Sequence, residues 1–281
     1  MDSQDKKVIH QKNRPFLAAC YLLAVVFLFL YLFPLFFSFN TSLKTSREYL
    51  LNPIGLTQSW SFDNYITAWT RARFGSYISN SILYTAVCTV ISLLLSVLIA
   101  FPIARRFFPG SRAVYNIFLC GLFLPSGTIP LFQIILNMGL HNTRLGYMLI
   151  MTGVSSTSVF FFTGYFKSIP KDMDEAAVIE GCGYLRYIFK ILIPLSKPAI
   201  ASMGVLSMIG VWNDIVSSTI YLTSESNFNI TRGLTVFTGQ YSSDWTLTAA
   251  GLFIVAAPLI LIYVFCQRYI VDGVMAGGVK G

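Results

Sequence analysis

An all-α membrane protein with six transmembrane helices is the fold this sequence predicts, and three observations predict it. The chain has 281 residues, 55% of them hydrophobic and only 11% charged, with a mean hydropathy of +0.65. A water-soluble domain of that size has no interior large enough for so much apolar surface. Windows long enough to cross about 30 Å of hydrocarbon as a helix can be marked over 16–39, 77–103, 114–136, 147–166, 199–221 and 247–267. Lys and Arg are then unevenly divided between the two faces.

Six spans bring both termini to one side. That side, with segments 1–15, 104–113, 167–198 and 268–281, carries fourteen basic residues, and the other side carries six. The first side is therefore cytoplasmic. The net charge of +8 reads as orientation in a membrane, because no polar domain bears a basic stripe of the kind a nucleic-acid partner requires. The five cysteines form no CxxC pair, and all but Cys182 lie in apolar segments, where Cys behaves as a small hydrophobe. Neither a disulfide nor a metal site is implied.

The first span follows Lys6, Lys7, Lys12 and Arg14. It is too long for the apolar region of a signal peptide and no A-x-A site follows, so it is a retained span. The outer loop at 40–75 contains Pro53, Gly55, Trp60, Tyr65 and Trp69. It reads either as a partly helical cap with its aromatics at headgroup level or as a contact surface for an outside partner. The second span carries Ser92, Ser96 and Ala100 at four-residue spacing, a small-residue face that allows close helix approach.

In the third span Pro125, Gly127 and Pro130 interrupt the backbone ladder and free carbonyls that neighbours or water must satisfy. A broken helix beside a cavity is expected there, with Gln133 one turn later. The fourth span holds Ser155, Ser156, Thr157, Ser158 and Thr163, hydroxyls that in spans usually bond their own carbonyls. The fifth holds Trp212, Asn213 and Asp214. An ionisable group in hydrocarbon costs several kcal/mol, and Asp214 lies about 22 Å above the inner end of its span. It either faces a wet interior or reaches the outer interface. No other acid falls clearly inside a span, and His10 and His141 lie outside the spans. A proton-coupled carrier, which needs an intramembrane relay, is disfavoured.

The charged interval 172–198, DMDEAAVIEGCGYLRYIFKILIPLSKP, separates the fourth and fifth spans on the cytoplasmic side. Pro170 ends the preceding helix, and Asp172 is the expected N-cap of a short helix whose acidic first turn suits the dipole. Gly181 and Gly183 break it. Ala177 and Gly181, four apart, are expected to share a face that another backbone can approach. A second helix is expected over 184–193, with Arg186 and Lys190 to one side and apolar residues around the rest, lying at the membrane surface. Pro194 and Pro198 are expected to stop it. On the residues alone, a docking element for a soluble motor and an ordinary cytoplasmic loop both remain open. The chain has no G-x-x-x-x-G-K-[ST], GxGxxG, G-x-S-x-G or H-E-x-x-H, so it carries no nucleotide or hydrolase motif of its own.

The interval also resembles the EAA motif of binding-protein-dependent ABC importer permeases, EAA-x3-G-x9-I-x-L-P. Glu175, Ala176, Ala177, Gly181, Ile191 and Pro194 fall in place, with Ile193 where Leu is usual. LPSGTIPLFQIILNMGLHNTRLGYMLI at 124–150, the Trp212-Asn213-Asp214 triplet and the tail QRYIVDGVMAGGVKG at 267–281 are similar to the second membrane subunit of the maltose-type carbohydrate branch. The resemblance covers the chain from 77 onward and, more loosely, SFDNY at 61–65.

The resemblance implies a type I ABC importer permease fold. A cytoplasmic N-terminus (1–15) precedes the first helix with its extracytoplasmic loop (16–76). A five-span core (77–267) contains a coupling loop at 170–198, and a cytoplasmic tail follows (268–281). It implies a bacterial inner-membrane, non-catalytic subunit of an ATP-driven sugar importer, with no cofactor in this chain and with ATP and Mg held by partner chains. The implied partners are a second homologous permease, two ATP-binding subunits, an extracytoplasmic solute-binding protein, the sugar and membrane lipid, with no nucleic acid. Glu175 is then the main polar contact of a coupling helix seated in an ATPase cleft, and Gly181 is the turn that shapes the loop. Gln133, Asn213 and Asp214 become candidates for the substrate pathway. Gly277, Gly278 and Lys280 belong to a tail that reaches the ATPases or simply frays. The alternatives are a proton-coupled carrier and a membrane-embedded transferase; the latter wants paired carboxylates or a His at one membrane face.

Overall fold

A computed structural model describes residues 14–58, 60–125, 127–239 and 243–278. Among the described residues the chain is helical, and the extended pairing consists of one isolated antiparallel bridge, Thr238 to Ser243. Lys6, Lys7, Lys12 and Lys280 lie outside the described residues. Two compact units are present, Met1–Arg71 with Phe237–Ile254, and Ala72–Val236 with Val255–Gly281.

The first unit contains α1 (Arg14–Ser42), α2 (Ser46–Leu51) and α3 (Asp63–Arg71). Helix α1 is almost uniformly apolar, keeps its course through Pro34, and leaves its Phe and Leu side chains exposed in this chain. A helix apolar on all sides suits a hydrocarbon solvent. The outer loop after it is a partly helical cap. Asn40 accepts from Thr57 N–H at 2.9 Å and donates to the Gly55 carbonyl at 2.8 Å. Asn64 donates to the Ser42 and Lys44 carbonyls. Lys44 is only 1% exposed, and its ammonium donates to the carbonyls of Asn52 at 2.8 Å and Pro53 at 3.0 Å. The sequence places Lys44 with the outer charges. The fold instead uses it to satisfy backbone carbonyls inside the cap, a role that helps offset the desolvation of a buried cation.

The second unit is built around α4 (Phe74–Arg105), whose 32 residues span about 48 Å at the helical rise. It packs most extensively against α8 (Ser156–Ser168) and then α11 (Lys197–Trp212). The expected small-residue face is the contact surface: Ser92, Ser96 and Ala100 are all buried, and Ser92 Oγ donates to the Gly153 carbonyl at 3.4 Å.

The span expected over 114–136 is two helices, α5 (Ser111–Gly121) and α6 (Thr128–Asn137), parted at the Pro125–Gly127 region. The fourth is α7 (Arg144–Met151) and α8, bent by 45°. Helix α9 (Asp172–Ile179) and the helical run α10 (Tyr184–Leu195) follow, and α10 meets α11 at 84°. Helix α12 (Val216–Tyr221) continues the fifth span after a break. Helix α13 (Trp245–Gly278) runs from the sixth span through most of the expected tail. Among the described residues three helices are long and apolar enough to cross a membrane, and five spans result if each bent pair is one.

Candidate functional site

The interval between α8 and α11 folds as a compact hairpin on the end of α4. Ile169 is extended, as the residue before a proline is expected to be. The chain turns at Lys171, whose carbonyl accepts from Asp174 and Glu175 N–H at 2.8 and 3.1 Å. Helix α9 therefore starts one residue earlier than the sequence suggested. Asp172 is its first helical residue rather than its N-cap, and Lys171 caps it without a side-chain bond. The three acids of the first turn still favour the helix dipole.

Gly181 closes α9. At φ +71° it occupies the left-handed region, and the Cys182 N–H to Ala177 carbonyl and Gly181 N–H to Val178 carbonyl bonds, both 2.9 Å, complete a Schellman turn. This turn overturns the expected shared face of Ala177 and Gly181. The helix ends at Ile179, Gly181 lies beyond it, and Ala177 points inward at 5% exposure. Glu175, Ala176 and Ile179 face outward instead, Ile179 at 87% exposure. The small side chain of Ala177 lets α9 sit close on the core.

The second helix stops between Pro194 and Pro198, as expected, and not at Pro194 itself. The run continues to Leu195, with its middle, Ile188–Leu192, wound as a π-helix, and the break comes at Ser196 ahead of Lys197 and Pro198. Pro194 is the last residue but one of the run, so its missing N–H costs the ladder only its final bonds. Ile188 and Leu192, four apart, are fully buried, whereas Leu185 and Phe189 are exposed. Arg186 and Lys190 are exposed as expected, Ile191 is half-buried and Pro194 exposed. Ala177, Tyr187, Ile188 and Leu192 join Phe101 of α4 and Phe162 and Phe166 of α8 in one core cluster.

A polar network fastens α9 to α4. Arg105, the last residue of α4, pairs through Nε with Asp174 Oδ2 at 2.5 Å and donates from Nη2 to Oδ1 at 3.2 Å. Its Nη1 donates to the Ile169 carbonyl at 3.1 Å, and the Tyr187 hydroxyl donates to Asp174 Oδ1. The Arg105 side chain is 3% exposed and that of Asp174 16%. Sequence reasoning missed these partners, because the two charges are 69 residues apart and no periodicity links them. An open groove of about 430 Å³ lies beside the pair, lined by Phe107, Lys171, Glu175, Val178 and Ile179 as well.

The candidate pathway residues lie far along the chain from this hairpin. Gln133 on α6 and Asn213 at the end of α11 are exposed, and Asp214 is half-buried. Asp214 Oδ1 accepts from Ser217 N–H at 3.1 Å, and Oδ2 accepts from Ser218 N–H at 2.9 Å and from the Tyr147 hydroxyl at 2.9 Å. Asn229 Nδ2 donates to the Asp214 carbonyl. The carboxylate thus caps the first turn of α12 at the break and ties it to α7. Trp212 is buried and donates from Nε1 to the Val255 carbonyl at 3.1 Å. Gly277 and Gly278 are the last described residues of α13. Among the described residues no cluster of His, Cys, Asp and Glu is placed to hold a metal.

These features, long apolar helices and broken helix pairs with an acidic hairpin between α8 and α11, define an all-helical membrane protein. Residues 92–275 match the family model described as the binding-protein-dependent transport system inner membrane component. The chain is 31% identical to the diacetylchitobiose uptake system permease protein NgcG of Streptomyces coelicolor, over 94% of this chain and 89% of that one. It is 30% identical to the arabinooligosaccharides transport system permease protein AraQ of Halalkalibacterium halodurans, over 96% and 99%. Among solved structures, that of a bacterial ABC transporter involved in the import of the acidic polysaccharide alginate superposes with a TM-score of 0.81 at 24% identity, covering 92% of this chain and 97% of that one. The chain belongs to the family of binding-protein-dependent ABC importer inner membrane permeases. Such subunits are non-catalytic and hold no cofactor, and the ATPase partner binds ATP.

Proposed function

We propose that this permease carries a sugar, as one half of a six-span translocation pathway, and that α9 is the element through which partner ATPases drive it. The observation that carries the coupling role is the presentation of α9. Its acidic first turn and outward Glu175, Ala176 and Ile179 are held rigidly by a Schellman turn at one end and by a buried ion pair at the other. A sugar cargo is supported by relatives named for diacetylchitobiose, arabinooligosaccharides and melibiose, raffinose and stachyose. The remaining span, the third in chain order, is the broken pair α5 and α6. The assembly comprises a second permease, two ATP-binding subunits and an extracytoplasmic binding protein; a neighbouring fold was solved with an alginate-bound periplasmic protein.

Gln133, Asn213 and Asp214 contribute to the pathway in this reading, the first two offering exposed amides for hydroxyl-rich cargo and Asp214 holding the break between α11 and α12 in shape. The end of α13, with Gly277 and Gly278, extends toward the ATPases, and Lys280, outside the described residues, is assigned to the same contact. The test is reconstitution of this chain with its cognate permease, ATPase and binding protein in vesicles. Uptake of a labelled oligosaccharide is expected only with internal ATP and all components present. Uptake driven by a proton gradient without ATP contradicts the reading.

A further inference from the structure

We propose that Arg105 and Asp174 form a latch that converts motion of α9 into motion of α4, and that Asp174, beside Glu175, is a positioning residue for coupling. The proposal rests on the reading of α9 as the ATPase contact and names the route by which its displacement enters the bundle. Helix α9 has only eight residues. It is joined to α8 through Ile169 and Pro170 and to α10 through Gly181 at positive φ, so neither connection transmits force as a continuous helix does. Its own apolar hold on the core is small, with Ala177 the one buried side chain of the helix.

The Asp174 carboxylate supplies what the backbone lacks. It lies 2.5 Å from Arg105 Nε as an ion pair and accepts a hydrogen bond from Nη2 at 3.2 Å, a charge-assisted contact stronger than a neutral one. Arg105 is the terminal residue of α4, the helix against which α8 and α11 pack. The same Arg105 grips the Ile169 carbonyl, and Tyr187 brings α10 to the same carboxylate oxygen. One carboxylate therefore joins α4, α9 and α10. At 3% side-chain exposure for Arg105 and 16% for Asp174 the pair is shielded from solvent and salt. A push on the outer face of α9 is delivered to the end of the longest helix of the unit.

A purely structural pair and a coupling latch are separated by removing both charges. Losing one partner strands a buried charge and destabilises the fold, whereas neutralising both leaves no stranded charge. The experiment compares Asp174→Asn alone with the Arg105→Gln/Asp174→Asn pair in the full reconstituted importer. Melting temperature, labelled-sugar uptake and ATP hydrolysis are measured, together with cross-linking of Glu175→Cys to the ATPase. The single variant is expected to melt lower. The paired variant is expected to regain the melting temperature and keep the cross-link, while ATP hydrolysed per sugar imported rises about fivefold or more, the low end of usual coupling strengths. A paired variant with the unaltered ratio overturns the latch. So does one that fails to assemble, because the network then serves folding alone. Failure of the Glu175→Cys cross-link in an otherwise active importer overturns the coupling reading itself, independently of the latch.

Discussion

Replacing Gly181 offers a graded test of the turn that shapes the α9–α10 hairpin and of its proposed coupling role. The residue sits at φ +71° and a Cβ built there meets no heavy atom within 4 Å. Any cost of substitution is therefore backbone strain and owes nothing to crowding. An L-residue in the left-handed region costs about 1–2 kcal/mol, while Asn tolerates it with less penalty, and β-branched Val suffers more than Ala. One to two kcal/mol shifts the population of the native turn by roughly 5–30-fold, and the two Schellman bonds at 2.9 Å are what that shift breaks. Sugar uptake and ATP hydrolysis, measured in vesicles containing the whole importer, are expected to lose coupling in the order Gly181→Asn, Gly181→Ala, Gly181→Val, least to most. Full coupling in the Ala and Val variants refutes the reasoning, and so does an Asn variant as impaired as the Val variant.

Three further outcomes follow from the geometry. Asp214→Ala removes the acceptor for two N–H groups of α12 and for Tyr147 and is expected to cost about 1–2 kcal/mol, read as a lower melting temperature in detergent, with Asp214→Asn milder; lost transport at unchanged melting temperature reassigns the residue to direct substrate contact. Lys44→Met leaves the Asn52 and Pro53 carbonyls without their donor at a cost of about 1–3 kcal/mol, so limited proteolysis is expected to cut the 45–58 loop faster than in the unaltered protein. Leu192→Ala empties a fully buried position of the core cluster and is expected to destabilise by about 2–5 kcal/mol, checked by thermal denaturation.

Five of the six expected spans are matched, three as long helices and two as bent pairs, because hydrocarbon demands long apolar runs, and a break is legible where the chain carries its own punctuation. Pro125 and Gly127 announced the gap between α5 and α6. The bend between α10 and α11 falls between Pro194 and Pro198, where the prolines announced a stop, whereas the bend between α7 and α8 has no proline to announce it. Within the hairpin of α9 and α10, Gly181 was readable as a break, but which residues face out is set by packing on the core. The Schellman bonds end α9 at Ile179 and so separate Gly181 from the face of Ala177, which packing on the core turns inward. The Arg105–Asp174 pair and the buried Lys44 had no sequence signal at all. Both depend on partners brought together by the tertiary fold, 69 residues away in the first case and backbone carbonyls in the second, and local periodicity records neither. Asp214 was singled out for its charge in a span, while its use as the cap of α12 became visible only once the helix was seen to break beside it.

Cysteine cross-linking along α9 measures the central claim most directly. Single cysteines in place of Glu175, Ala177 and Ile179, in an importer assembled with its ATPase, are probed with a short bifunctional thiol reagent against cysteines in the ATPase cleft. If α9 docks through its outward face, positions 175 and 179 cross-link and position 177, buried against the core of its own chain, does not. Cross-linking at 177 as efficient as at 175 and 179, or none at any of the three in an importer that still hydrolyses ATP in response to sugar, contradicts the account.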